Sequence, residues 1–261
     1  MDWRKELYDT EEKPLDRLVD GYSNTSVFRT MAFVGDSLSS GEFENRSESG
    51  EPTYHDMFEY SWGQYIARKN GLKAYSFSRG GMTTREYVES FAEAKGYWDP
   101  DKAAQAYVIA LGVNDLFFKG IELGSIDDVD VNDRNNNQPT YMGYYATIIA
   151  RYKEISPDAK FFLVTFPHST TPGREDKIRG MINGLYDLAK AFDNTYVINL
   201  YEYGPVYDDE FYEHFGLYGH LNPQGYIFTA RIIDSYIDYI IRKNPKDFAA
   251  AGFINSGIVF R

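Results

Sequence analysis

A serine at a turn and a histidine far along the chain are the residues whose types could do chemistry here. Met31-Ala-Phe-Val-Gly-Asp-Ser-Leu-Ser-Ser40 reads as a buried strand that stops at Gly35 and presents Ser37 in the turn that follows. A serine hydroxyl is a poor nucleophile near neutral pH until an imidazole takes its proton, and histidine is the side chain whose ordinary pKa suits that task. The chain has four histidines, His55, His168, His214 and His220. His220 is followed by Asn222-Pro223, which ends its loop and starts a helix, so local turn chemistry fixes its position. On its own an Asp-Ser pair after a strand reads first as the N-cap of the next helix, and the weight of Ser37 therefore rests on what other turns bring to it.

Those turns belong to a regular alternation of elements. Strands are expected over about 30–36, 73–77, 106–111, 160–166 and 195–200, and helices over about 57–70, from 84, and over 140–155, 174–192 and 223–242. The stretch 41–56, rich in Glu, Ser and Gly, reads as a loop, and so does the aromatic, acidic stretch 201–222. Residues 1–28 form a polar lead-in and 244–261 a tail expected to pack back on a single domain spanning 1–261. This order predicts an α/β fold: a doubly wound five-stranded parallel sheet with helices on both faces. Such a sheet gathers the turns after its strands at one edge, and with them Ser37, Gly81, Asn114, His168 and His220.

Composition narrows the function classes. At 43% hydrophobic and 25% charged residues the chain is of ordinary globular type, with nothing near the roughly 18 consecutive apolar residues of a membrane span. A net charge of −12 repels phosphate backbones and anionic lipid, so neither nucleic acid nor a membrane surface is an expected partner, and a neutral or cationic substrate suits the chain better. The absence of cysteine removes disulfides, thiolate metal sites and cysteine nucleophiles. Asp127, Asp128, Asp130 and Asp133 lack the glycine and distal glutamate of a calcium loop and read as a solvated acidic segment. Met1-Asp-Trp-Arg-Lys-Glu-Leu-Tyr has charges throughout and no apolar core, so it does not read as a secretory signal; the expectation is a cytoplasmic protein, or a secreted one from which a leader has been removed.

Gly35-Asp-Ser-Leu38, the Gly81 turn, Gly112-Val-Asn-Asp115 and His220-Leu-Asn-Pro223 resemble, in order and rough spacing, the four blocks of the SGNH (GDSL) hydrolase superfamily, over about 30–226. The resemblance implies a lipase/esterase-like enzyme in which Ser37 is the nucleophile and His220 the general base. The Ser37 N–H, the Gly81 N–H and the Asn114 side chain would form the oxyanion hole. Gly81 permits close backbone approach and Asn114 offers an amide without adding charge, which is what a tetrahedral intermediate needs. Such a site makes its nucleophile by proton transfer and calls for no metal and no cofactor.

The family usually has an Asp three residues before the histidine, and this chain has Leu217. Glu202, Asp208, Asp209 and Glu213, all in the same loop, are the candidates for the group that orients His220, alongside a backbone carbonyl in a Ser-His dyad. The expected substrate is a small-molecule or carbohydrate ester with a short acyl chain, such as an acetyl group. The superfamily also contains lysophospholipases, thioesterases and acyltransferases, and a non-catalytic carbohydrate-binding module on the same fold is the reading from another class.

Overall fold

The computed structural model describes residues 2–170 and 172–258; Met1, Thr171 and the last three residues of the tail lie outside the described residues. In chain order the strands are β1 (Thr30–Gly35), β2 (Glu42–Arg46), β3 (Pro52–Asp56), β4 (Lys73–Ser78), β5 (Ala106–Ala110), β6 (Lys160–Val164), β7 (Thr195–Ile198), β8 (Gly216–Leu217) and β9 (His220–Leu221). Five of them form the central sheet in the order β4-β1-β5-β6-β7, and every pairing is parallel. Successive side chains on a strand point to opposite faces, and both faces here are apolar. Ala32 and Val34 therefore face one core while Met31 and Phe33 face the other.

The helices Tyr141–Ile155 and Glu175–Ala191 cover the first core, through buried residues such as Tyr145, Ile149, Ile178 and Leu185. The helices Trp62–Asn70 and Pro223–Lys243 cover the second, where Trp62 meets Phe33 edge to face at 5.1 Å between centroids. This is the doubly wound α/β architecture expected from the alternation. β1 has β4 on one side and β5 on the other, so the crossovers on its two sides leave a crevice beyond its carboxyl end. Ser37 follows β1 into that crevice.

Local sequence explains where the helices begin. Ser61 Oγ accepts from the Gln64 N–H, so the helix expected from 57 starts at Trp62, after a tight turn at Phe58–Tyr60. Thr140 and Asn222 cap the helices at Tyr141 and Pro223 in the same way, with Pro223 at the first helical position.

Two stretches expected as loops are folded. Residues 41–56 contain the antiparallel hairpin β2–β3, bounded by Gly41 at φ 78° and turning through Gly50 at φ 85°. Glu and Asn are poor strand residues, which hid the hairpin, and tertiary contacts overrode that local preference. Residues 201–222 hold the helix Asp209–Phe215 and the two-residue pair β8–β9.

The lead-in is joined to the body through buried Asp234, whose carboxylate accepts from Ser23 Oγ at 2.7 Å and Asn70 Nδ2 at 3.0 Å and pairs with Lys69. In the tail, Phe248 is buried against Phe28 and Phe162. No helix among the described residues is long and apolar enough to cross a membrane.

Candidate active site

Ser37 opens a one-turn helix, Ser37–Ser40, at the carboxyl end of β1. Asp36 caps that turn, its carboxylate accepting from the Leu38 N–H at 3.2 Å, and Gly41 closes it in the left-handed region. Asp36 is thus the cap, and Ser37 is left half-buried at the cavity wall. Asp36 is buried, and that burial, with the nearby carboxylates of Asp115 and Glu42, pushes its pKa up to about 7 against the opposing Leu38 N–H and His220.

The turn after β4 carries Gly80 and Gly81. Gly81 is at φ 70°, where a side chain would be strained. Gly80 is needed for a different reason: a Cβ there would sit 1.9 Å from Glu42 Oε2. Asn114 follows β5, and its Nδ2 donates to the Met82 carbonyl at 3.1 Å and reaches Asp36 Oδ2 at 3.5 Å. Its neighbour Asp115 is fully buried and accepts from both Thr84 N–H and Thr84 Oγ1, at 2.9 and 2.5 Å. Asp115 thus fastens the Asn114 turn to the start of the helical stretch that follows Gly81.

His220 sits on β9 opposite Leu217, its cross-strand neighbour, and Leu217 is exposed. The acids at the ring come from β2 instead. Glu42 Oε1 lies 3.1 Å from Nε2, and Glu44 Oε2 lies 3.4 Å from Nδ1, itself buried and without a hydrogen bond among the described residues. Glu42 and Glu44 are two apart on one strand and so share a face, together with Tyr54, the cross-strand partner of Glu44. Tyr54 meets the imidazole edge to face at 5.9 Å.

Both glutamates are buried, and Glu44 is held by further partners. The Gly219 N–H donates to Glu44 Oε2 at 3.0 Å, and Arg46 pairs with its other oxygen at 2.7 Å while lying over the Tyr218 ring. Burial alone would push Glu44 up, but the Gly219 N–H and Arg46 outweigh it and hold the carboxyl below its ordinary range. For His220, burial pulls the imidazole down, and Glu42 and Glu44 together overcome this and leave its pKa above the ordinary value.

None of the four loop acids reaches the ring. Asp208 caps the helix Asp209–Phe215 by accepting from the Phe211 N–H, Asp209 lies exposed in the first turn of that helix, Glu213 is exposed near its end, and Glu202 accepts from Asn199 Nδ2. Sequence proximity to His220 favoured them, but β8–β9 turns the imidazole away from that loop and toward the β2–β3 hairpin. The i, i+2 spacing of Glu42 and Glu44 around Phe43 was the available signal, since it places two acids on one face of a strand.

Ser37, Gly81, Asn114 and His220 all line one cavity of about 690 Å³, with Glu42 beside them and Phe117, Phe118 and Tyr212 on its farther wall. Among the described residues no hydrogen bond joins Ser37 to His220. Such bonds often tighten only when substrate is bound. His55 and His214 are exposed and His168 packs on Tyr201; none of the three lines this cavity. Among the described residues no cluster of three potential ligands could hold a metal ion.

The model of the GDSL-like lipase/acylhydrolase family matches residues 33–227, about three quarters of the chain. The chain belongs to this family. The match makes it a member of a hydrolase family and spans all four turns that line the cavity. Among solved structures, this GDSL-family chain is similar to three family two carbohydrate esterases. One from Clostridium thermocellum, in complex with cellohexaose, is 18% identical with a TM-score of 0.59, covering 88% of this chain and 66% of that one. One from Corynascus thermopiles (Myceliophthora fergusii), with a carbohydrate binding domain, is 16% identical with a TM-score of 0.55, covering 89% and 68%. One from Cellvibrio japonicus is 15% identical with a TM-score of 0.55, covering 85% and 64%. The chain thus spans about two thirds of the length of these esterases, and at such identity the likeness is one of fold. No curated protein matches the chain.

Proposed function

We propose that this chain is a serine esterase that removes a short acyl group, an acetyl, from a carbohydrate. The observation that carries the reading is the meeting of Ser37, Gly81, Asn114 and His220, from four separate turns, on the wall of one cavity. His220 Nε2, on the cavity side with Glu42, takes the proton of Ser37 Oγ as that oxygen attacks the ester carbonyl. The oxyanion is received by the N–H groups of Ser37 and Gly81 and by Asn114 Nδ2. One hydrogen of that amide is held by Met82, and the other makes only the long 3.5 Å contact to Asp36, so it is the donor left for the oxyanion. The imidazolium then gives its proton to the departing alcohol, and water repeats the sequence on the acyl-enzyme.

Glu44 takes the orienting place that an Asp near the histidine usually fills. It faces the buried Nδ1 and is itself fixed by Gly219 and Arg46, whereas Glu42 lines the cavity on the Nε2 side. A short acyl chain is supported by a second, small apolar cavity of about 80 Å³ that reaches Asp36 and Leu38 on either side of Ser37 and is walled by Trp62, Val113, Phe166 and Leu221. The aromatic wall of the larger cavity suits a sugar face, and the structural neighbours named as carbohydrate esterases are in keeping with it.

Ser37→Ala is expected to lower hydrolysis of a chromogenic acetyl ester by about 10⁴-fold or more with folding intact, and Asn114→Ala to lower kcat by about 10²–10³ with a smaller effect on KM. Hydrolysis by Ser37→Ala near the parental rate would end the serine mechanism. The pairing of His220 Nε2 with Glu42 rather than Ser37 favours one second reading, a non-catalytic carbohydrate-binding protein. A parent protein that binds oligosaccharide and hydrolyses no acetyl ester would establish that reading instead.

A further inference from the structure

Arg174 stands at the head of the helix Glu175–Ala191 and lines the catalytic cavity. Its guanidinium lies over the Phe117 ring at 4.8 Å and over the Phe118 ring at 5.8 Å from the centroids. Three other arginines that lie on aromatic rings also pair with an acid, Arg46 with Glu44, Arg79 with Glu86 and Arg179 with Glu175, whereas the exposed Arg4 over Trp3 has no ion pair among the described residues. Arg174 has no acidic partner within 4.0 Å among the described residues. That is notable in a chain with 39 acidic and 27 basic residues, where a surface arginine finds a carboxylate easily. Aromatic contact holds the plane of the guanidinium and leaves its N–H edge available for a planar, two-oxygen anion.

The position of Arg174 separates the two parts of an ester. The small apolar cavity is bordered by Asp36 and Leu38, the chain neighbours of Ser37, shares Leu38, Val113, Phe166, Pro167, Tyr207 and Leu221 with the large one, and suits the acyl group. Arg174 lines only the large cavity, which is left for the alcohol part. We infer that Arg174 with Phe117 and Phe118 forms a carboxylate-binding subsite, so that the preferred ester carries a carboxylate on its alcohol part. This inference rests on the esterase reading of the cavity and refines its substrate class. It also departs from the preference for neutral or cationic substrates drawn from net charge. Screening over about 8 Å at physiological salt confines the field of distant surface acids, so the cation inside the cavity governs the bound group.

The test compares para-acetoxybenzoate with its uncharged analogue para-acetoxybenzamide as substrates of the parent and of Arg174→Gln. The parent should favour the benzoate in kcat/KM by about tenfold, mainly through KM, and the ratio should shrink as salt is raised. In Arg174→Gln the ratio of the two kcat/KM values should fall to about one; because it is a ratio within one preparation, it is insensitive to a loss of folded protein. Hydrolysis of both esters by the parent with equal kcat/KM, or a ratio unchanged by Arg174→Gln, overturns this inference and leaves the esterase reading standing. Hydrolysis of neither ester overturns the esterase reading and the inference with it.

Discussion

Two carboxylates hold the imidazole of His220, and they do different work. Glu44 is fixed from behind by Gly219 and Arg46, while Glu42 faces the cavity and packs on Gly80. Glu44→Gln is expected to lower kcat by about 10²–10⁴, because an imidazole without its orienting acid loses tautomer and support for its charged form. It should also move the acid limb of the pH–rate profile down, since one of the charges that raises the His220 pKa is gone. A residue with only a structural role would lower activity without moving that limb. Glu202→Gln, Asp208→Asn, Asp209→Asn and Glu213→Gln should each leave kcat nearly unchanged. If one of them matches His220→Ala and Glu44→Gln does not, the acid has been misassigned.

The β2–β3 hairpin is the element that makes this arrangement possible. Its position depends on Phe43, half-buried between the Tyr60 and Tyr226 rings at 5.5 and 5.4 Å, and on the Tyr226 hydroxyl, which donates to the Glu42 carbonyl at 2.5 Å. The same alternation that turns Phe43 toward the helix Pro223–Lys243 turns Glu42 and Glu44 toward His220. Phe43→Ala should therefore cost about 1–3 kcal/mol of stability, below the range for a fully buried Phe. It should also lower kcat in the fraction that remains folded, as β2 loses its anchor. Denaturant melts together with active-site-titrated rates measure the two effects separately. A stability loss with kcat unchanged would show that the acids hold their places without the hairpin's packing.

At the scale of the whole molecule, the active site should set stability against activity as pH rises. The folded His220 pKa is above its ordinary 6.5, so its ion pairs stabilise the fold below about pH 6.5 and that contribution is lost as pH climbs through the raised value. Asp36 acts in the same direction. The fold favours its neutral form, so a cost grows from about pH 4 and is complete above about pH 7; about three pKa units correspond to something on the order of 4 kcal/mol. Stability should thus fall between about pH 5 and 8 while the esterase rate rises, as His220 becomes able to accept a proton. Asp36→Asn should flatten the stability curve and raise the melting temperature more at pH 8 than at pH 5. An increase of parental stability with pH over this window would contradict the assignment.

Adjacent residues wrote much of this in the sequence. The apolar run ending at Gly35-Asp-Ser, the caps Thr140 and Asn222-Pro223, and the left-handed Gly81 each depend on a few neighbours, and hydrophobic alternation with helical periodicity was enough to imply a parallel sheet covered on both faces. Because such a sheet collects its turns at one edge, Ser37, Gly81, Asn114 and His220 could be grouped before any coordinates. The acids that meet the imidazole could not be found this way. Glu44 and Gly219 are 175 residues apart, and Glu42 and Glu44 read as solvated loop residues until β2 pairs with β3 and buries them against the imidazole. Arg174 was equally silent, since a lone arginine at a helix start gains meaning only from the rings beneath it and from having no acidic partner within 4.0 Å among the described residues. Which charges meet is decided by the packing of elements distant in sequence, and only the tertiary structure contains that information.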